Sequence, residues 1–272
     1  MSAITKIADE VEFMLITSEI RSRQDISNYL TSNELNYSID QVLTEMDRRA
    51  AELGEDYPFS SSDGFYSPSI SASPSNGYHW LLLISLAKQD THVENSLILD
   101  SIGVKALEIY KGNFCKIVNF SFPVRFSESQ RPDSFPEAIQ WLGNQLGFRT
   151  CDYFKIPNRK DGGVDIVVSS KIGNFKALST TLVQTTTQEN YLSKVNDIDI
   201  KLWNSWVEFG PDPERMVLTS KLASPEELNR AHISGTLLLD RVRVVKILNA
   251  TNLAEVITQV SMLSLFKNGF NL

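Results

Sequence analysis

The chain has 272 residues, 42% hydrophobic and 22% charged, with a formal net charge of −7. These are ordinary globular values, enough for one large domain or two modest ones with a sizeable core. The acidic balance argues against a constitutive high-affinity nucleic-acid binder, which needs clustered Lys and Arg to neutralise phosphates; it leaves room for a nuclease inside a complex or steered by a local basic patch.

The opening MSAITKIADEVEF carries acids and lacks the apolar core of a signal peptide. Residues 3–23 and 37–53 read as helices. In SIDQVLTEMDRRAAEL, Ile39, Val42, Leu43, Met46, Ala50 and Leu53 recur at three- and four-residue steps, behind Ser38 as N-cap and Gln41 as its capping-box partner. The stretch ISNYLTSNELNYSIDQVL has the outline of a helix-turn-helix, but its acidic faces favour a small helical packing module. Residues 54–77, rich in Ser, Pro and Gly, read as a connection. YHWLLLISLAKQ and VENSLILDSIGVKALEIYKG follow as two helices. No apolar stretch reaches the length of a membrane span. FCKIVNFSFP (114–123) reads as extended. A soft boundary near residue 125 separates a helical N-terminal region, 1–125, from an α/β region, 126–272.

The α/β region starts with the helix DSFPEAIQWLGNQLGF, closed by Gly147 as a C-cap. A short strand near 150–156, a turn with Pro157, Gly162 and Gly163, and the strand VDIVVSS come next. ALSTTLVQTT is a second strand, ENYLSKVNDIDIKLWNSWVE a helix, RMVLTSK a strand, and SPEELNRAHIS a helix capped by Ser224. GTLLLDRVRVVKILNA mixes a strand with a helix start. The order is that of a mixed sheet flanked by helices. Cys115 and Cys151 form neither a metal spacing nor a disulfide framework, as in a reduced cytoplasmic protein.

FPEAIQWLGNQLGFRTCDYFKIPNRKDGGVDIVV, followed by TLVQTTT, resembles the restriction-endonuclease-like PD-(D/E)XK superfamily, in its Mrr-like, antiphage-defence branch. The resemblance covers about residues 134–206, with a weaker tail through LLLDRVRVV. It implies a restriction-endonuclease-like fold and Mg²⁺-dependent cleavage of DNA, Mn²⁺ being able to substitute. It makes Glu137 the helix carboxylate, Asp165 the main metal ligand and Gln184 the third position. The physics agrees: a hard cation polarises a phosphodiester and acidifies water, and it prefers oxygen ligands at strand ends. The superfamily's lysine, two residues beyond the third position, is replaced by Thr186. Defence-associated relatives carry a lysine at a QxxxxxxxxxK spacing, which Gln184 and Lys194 match.

Each of these residues also has a plainer role open to it. Asp161 and Asp165 can be turn acids bonded to their own backbone. Glu137, in a first helical turn, suits the helix dipole. Gln184 can satisfy buried backbone, and Lys194 can pair with Asp197 or Glu189. Trp203 and Trp206 read as packing residues more than base-stacking ones. Arg241 and Arg243 can contact phosphate or pair at a strand end. Lys155, Arg159 and Lys160 can steer a phosphate backbone toward Asp165. His79, His92 and His232 are scattered, and no HExxH, GxxxxGK[ST], GxSxG or GxGxxG pattern occurs.

The reading is a cytoplasmic, Mg²⁺-dependent DNA endonuclease subunit of a prokaryotic antiviral system. Its partners would be DNA and an ATPase or sensor subunit, with self-association open and no membrane involved. The alternative is a catalytically inactive interaction or DNA-sensing subunit.

Overall fold

A computed structural model describes residues 2–68, 77–86, 92–112, 114–122, 130–151, 162–170 and 179–248. The chain divides into two compact units. The first comprises Met1–Asn95, Ser220–Ser224 and Asp240–Leu272; the second comprises Ser96–Thr219 and Pro225–Leu239. Residue 125, the expected boundary, lies outside the described residues. The extended segment ahead of it pairs into the sheet of the second unit, which is why that unit begins earlier than the composition suggests.

The first unit starts with α1 (Ala3–Ile16), α2 (Arg23–Ser32) and α3 (Ile39–Leu53). The expected 3–23 helix stops at Ile16, and Ser18 takes a positive φ beyond it. Ser38 caps α3 through the reciprocal box with Gln41. The Ser/Pro/Gly-rich connection contains a hairpin, β1 (Phe59–Ser62) with β2 (Phe65–Pro68), turned at Asp63 and Gly64, both with positive φ. Helix α4 (Gly77–Leu86) and the late helix α9 (Arg241–Leu248) complete the unit.

Its interior holds a cluster of fully buried charges: Asp9 and Glu12 from α1, Arg49 from α3 and Arg241 from α9. Both Arg241 terminal nitrogens donate to Asp9, at 3.0 and 2.7 Å. Arg49 lies 2.9 Å from Asp9 and 2.8 Å from Glu12. Tyr57 and Tyr78 donate their hydroxyls to the two Glu12 oxygens at 2.6 and 2.7 Å. Burial alone would raise the Asp9 carboxyl, yet Arg241 and Arg49 hold it below its ordinary value. Burial lifts Glu12 above its ordinary value, against the pull of Arg49 and with the repulsion of Asp9.

The second unit is built on a five-stranded sheet in the order β3 (Cys115–Asn119), β5 (Ile166–Ser170), β6 (Ser179–Thr186), β8 (Glu214–Thr219), β9 (Thr236–Leu239). β5 runs antiparallel to both of its neighbours, β3 and β6; β6, β8 and β9 run parallel. A two-stranded pair, β4 (Arg149–Thr150) with β7 (Val207–Glu208), stands apart. The helices are α5 (His92–Lys111, entering this unit at Ser96), α6 (Phe135–Leu146), α7 (Ile200–Trp206) and α8 (Pro225–Ile233). The single helix expected across 189–208 is a 3-10 segment, Tyr191–Asn196, and then α7, restarted by the Asp199 side chain on the Leu202 amide.

Neighbouring strand residues assign the layers, because side chains alternate between faces. Val167 and Leu182 are register partners and join the core of α6 and α7 with Ile139, Leu142, Trp203 and Trp206. Ile166 and Leu218 face the other way: a Cβ on Gly103 of α5 would stand 3.1 Å from a methyl of each. So α5 covers one face, and α6 with α7 the other. Among the described residues no helix is long and apolar enough to cross a membrane.

Removing one partner of a buried ion pair strands the other charge. Arg241→Met is therefore expected to cost about 3–5 kcal/mol in urea unfolding, and adding Asp9→Asn to that variant should recover part of the loss.

Candidate functional site

The glycine pair ahead of β5 is a packing requirement. Gly162 and Gly163 have φ of +60° and +78°, conformations costly for other residues. Trp203 Nε1 donates to the Gly162 carbonyl at 3.0 Å. A Cβ at Gly162 would lie 3.0 Å from the Trp206 ring, and one at Gly163 only 2.8 Å from the Asp197 carbonyl oxygen. Trp203 and Trp206 are fully buried and meet edge to face at 5.4 Å, so they pack, as their spacing suggests.

This turn delivers Asp165 to the start of β5. Its backbone is held on both sides: its N–H donates to the Val183 carbonyl at 2.9 Å, and its carbonyl accepts from Phe120 N–H at 2.6 Å. Its Oδ2 accepts from the Thr185 N–H at 2.8 Å and lies 3.3 Å from Thr185 Oγ1. The Thr185 hydroxyl also bonds Asp100 Oδ1. Asp100 comes from α5 and is 2% exposed. One end of the sheet thus gathers two carboxylates around one threonine.

The other expected ligands lie elsewhere. Gln184 precedes Thr185, so its side chain belongs to the opposite face, with Leu182. Its Oε1 is buried without a hydrogen-bond partner among the described residues. Glu137 is exposed in the first turn of α6, on that same opposite layer, so the helix carboxylate beside Asp165 is Asp100. Thr186, at the expected lysine position, is buried and accepts the Gln188 N–H at 3.2 Å. Lys194 Nζ lies 3.1 Å from Asp197 Oδ2, three residues on.

The basic residues divide similarly. Arg241 cannot meet a phosphate as expected, because it is fully buried and both its terminal nitrogens bind Asp9. Arg243 is half-buried and pairs with Asp240 at 2.8 Å, across the first turn of α9 rather than at a strand end. Lys155, Arg159, Lys160 and Asp161 lie outside the described residues.

Asp100 and Thr185 were missed from the sequence. Asp100 had a signal: it is the one charged residue in NSLILDSIGV, a near-continuous apolar stretch of helix, and an acid in that setting is unusual enough to need a partner. Thr185 had none, since threonine is common in strands.

Among the described residues no three His, Cys, Asp or Glu side chains are grouped to hold a metal. Asp100, Asp165 and Thr185 supply two carboxylates and a hydroxyl, hard oxygen donors of the kind Mg²⁺ and Mn²⁺ take.

The strained approach at Gly163 can be separated from its φ. Gly163→Ala should destabilise by about 1–3 kcal/mol or more in chemical denaturation. Gly210→Ala, with φ +91° but nothing within 4 Å of the added carbon, should cost less.

No protein-family model, curated protein or solved structure matches this chain.

Proposed function

We propose that the second unit is a divalent-cation-dependent DNA endonuclease module, and that the chain is a cytoplasmic subunit of a prokaryotic antiviral system. The observation carrying this reading is the convergence of Asp165 and Asp100 on Thr185 at one end of a mixed sheet. The order α5, β3, β5, β6, α7, β8, with β6 and β8 parallel, supports a restriction-endonuclease-like architecture, α6 and β4 being inserted between β3 and β5. The motif around Asp165 supports it independently.

In this reading Asp165 holds Mg²⁺ or Mn²⁺, and Asp100 replaces Glu137 as the helix carboxylate. The cation, when bound, supplies Lewis-acid polarisation of a phosphodiester and a more acidic water. The chain's own contribution is to fix Asp165. Its backbone is bonded to Val183 and Phe120, and its carboxylate to Thr185, so the ligand oxygen is positioned before any cation arrives. The net charge of −7 fits a subunit to which a partner, an ATPase or sensor, delivers DNA.

A second reading, a non-catalytic nuclease-fold subunit for assembly or DNA sensing, is favoured by one specific observation. The usual lysine position is the buried Thr186, and Lys194 is engaged with Asp197. The two readings diverge in the presence of metal.

Asp165→Asn keeps the side-chain shape and an acceptor for the Thr185 N–H while removing the charge. It is expected to abolish Mg²⁺- or Mn²⁺-dependent cleavage by the chain co-purified with its operon partners, with the thermal melt intact. Wild-type protein that binds Mn²⁺ in calorimetry but leaves DNA whole would select the non-catalytic reading. Absence of any Mn²⁺ binding would remove the metal site altogether.

A further inference from the structure

We infer that Thr185 is the positioning residue of this site: its backbone N–H fixes Asp165, and its hydroxyl fixes Asp100. The inference rests on the metal reading above and adds to it a residue that neither the motif nor the composition of β6 singles out.

A threonine hydroxyl has one hydrogen. Two carboxylate oxygens lie within reach of Thr185 Oγ1, Asp100 Oδ1 and Asp165 Oδ2, and Asp165 Oδ2 already receives the Thr185 N–H. The hydrogen therefore points at Asp100. The lone pairs of Oγ1 are left facing the Asp165 side, where Oδ2 already receives the Thr185 N–H at 2.8 Å. One residue thus secures the two acids by different groups, and its hydroxyl oxygen is presented beside the ligand carboxylate. This is the arrangement by which outer partners orient metal-binding carboxylates.

Threonine suits this task better than a flexible polar residue. Its branched Cβ restricts χ1, and in β6 the pleat turns the hydroxyl toward α5, which carries Asp100. Asp100 is nearly inaccessible to solvent, so its orientation depends on bonds within the unit. Thr185 itself is only half-buried.

The test uses the full chain, with Mn²⁺ as the probe in calorimetry and thermal melts in parallel. Thr185→Val, which keeps the shape and removes the hydroxyl, should weaken Mn²⁺ binding by about 10–100-fold. Thr185→Ser should retain affinity within a few-fold. A purely structural role for the threonine would make serine and valine equally harmful, or would move the melt without moving affinity. If the valine variant fails to fold, Thr185→Ala against Thr185→Ser gives the same comparison.

The inference is overturned if the valine variant binds Mn²⁺ as wild type does, or if serine fails to rescue. In either case Asp165→Asn can still abolish binding, and the metal reading then stands without Thr185. Wild-type protein that takes up no Mn²⁺ overturns the inference and the metal reading together.

Discussion

The pleat of β6 decides which residues can act together. Consecutive side chains on a strand leave opposite faces of the sheet. Leu182 belongs to the core under α6 and α7, so Gln184 shares that side, while Thr185 reaches across to Asp100 of α5. The residue after the glutamine, Thr185, meets Asp165 by backbone and side chain alike.

The same alternation explains the exchange of helices. A carboxylate serves a strand-end site only if its helix lies on the correct layer. Glu137 sits in the first turn of α6, and the buried side of α6 packs on Val167 and Leu182. Helix α5 covers the face of Ile166 and Leu218, brought close by the missing side chain at Gly103. Asp100 lies three residues before that glycine, about one helical turn, and so falls on the same side of α5. Close packing at Gly103 and the reach of Asp100 to Thr185 are two consequences of one helix face.

Much of the element order was legible in the sequence. The α3 capping box, the Gly147 C-cap of α6 and the apolar runs of β5, β6 and β8 are local signals, and local chemistry satisfies them. The hairpin at 59–68 was hidden by composition, because its serines and proline resemble a linker, although Asp63-Gly64 is a strong hairpin turn. The helix across 189–208 failed for a different reason: Asp197 and Asp199 suit turns and caps, and Asp199 restarts the helix. The site was legible only where a motif is contiguous. Asp165 and its glycines are adjacent in sequence, whereas Asp100 and Thr185 are 85 residues apart and meet only through the layer order.

Buried charge is used differently in the two units. In the first, two carboxylates and two guanidiniums are enclosed together, and each acid has a cation within hydrogen-bond distance. The low-dielectric interior makes such groups costly unless they are matched, and the match joins residue 9 to residue 241, the two ends of the described chain. Arg241 is for that reason a structural residue, however much its Asp-Arg-Val-Arg context resembles a phosphate contact. In the second unit the carboxylates of Asp100 and Asp165 converge on a neutral hydroxyl. Asp100, Asp165 and the Thr185 hydroxyl together offer the hard oxygen donors that place the proposed cation there.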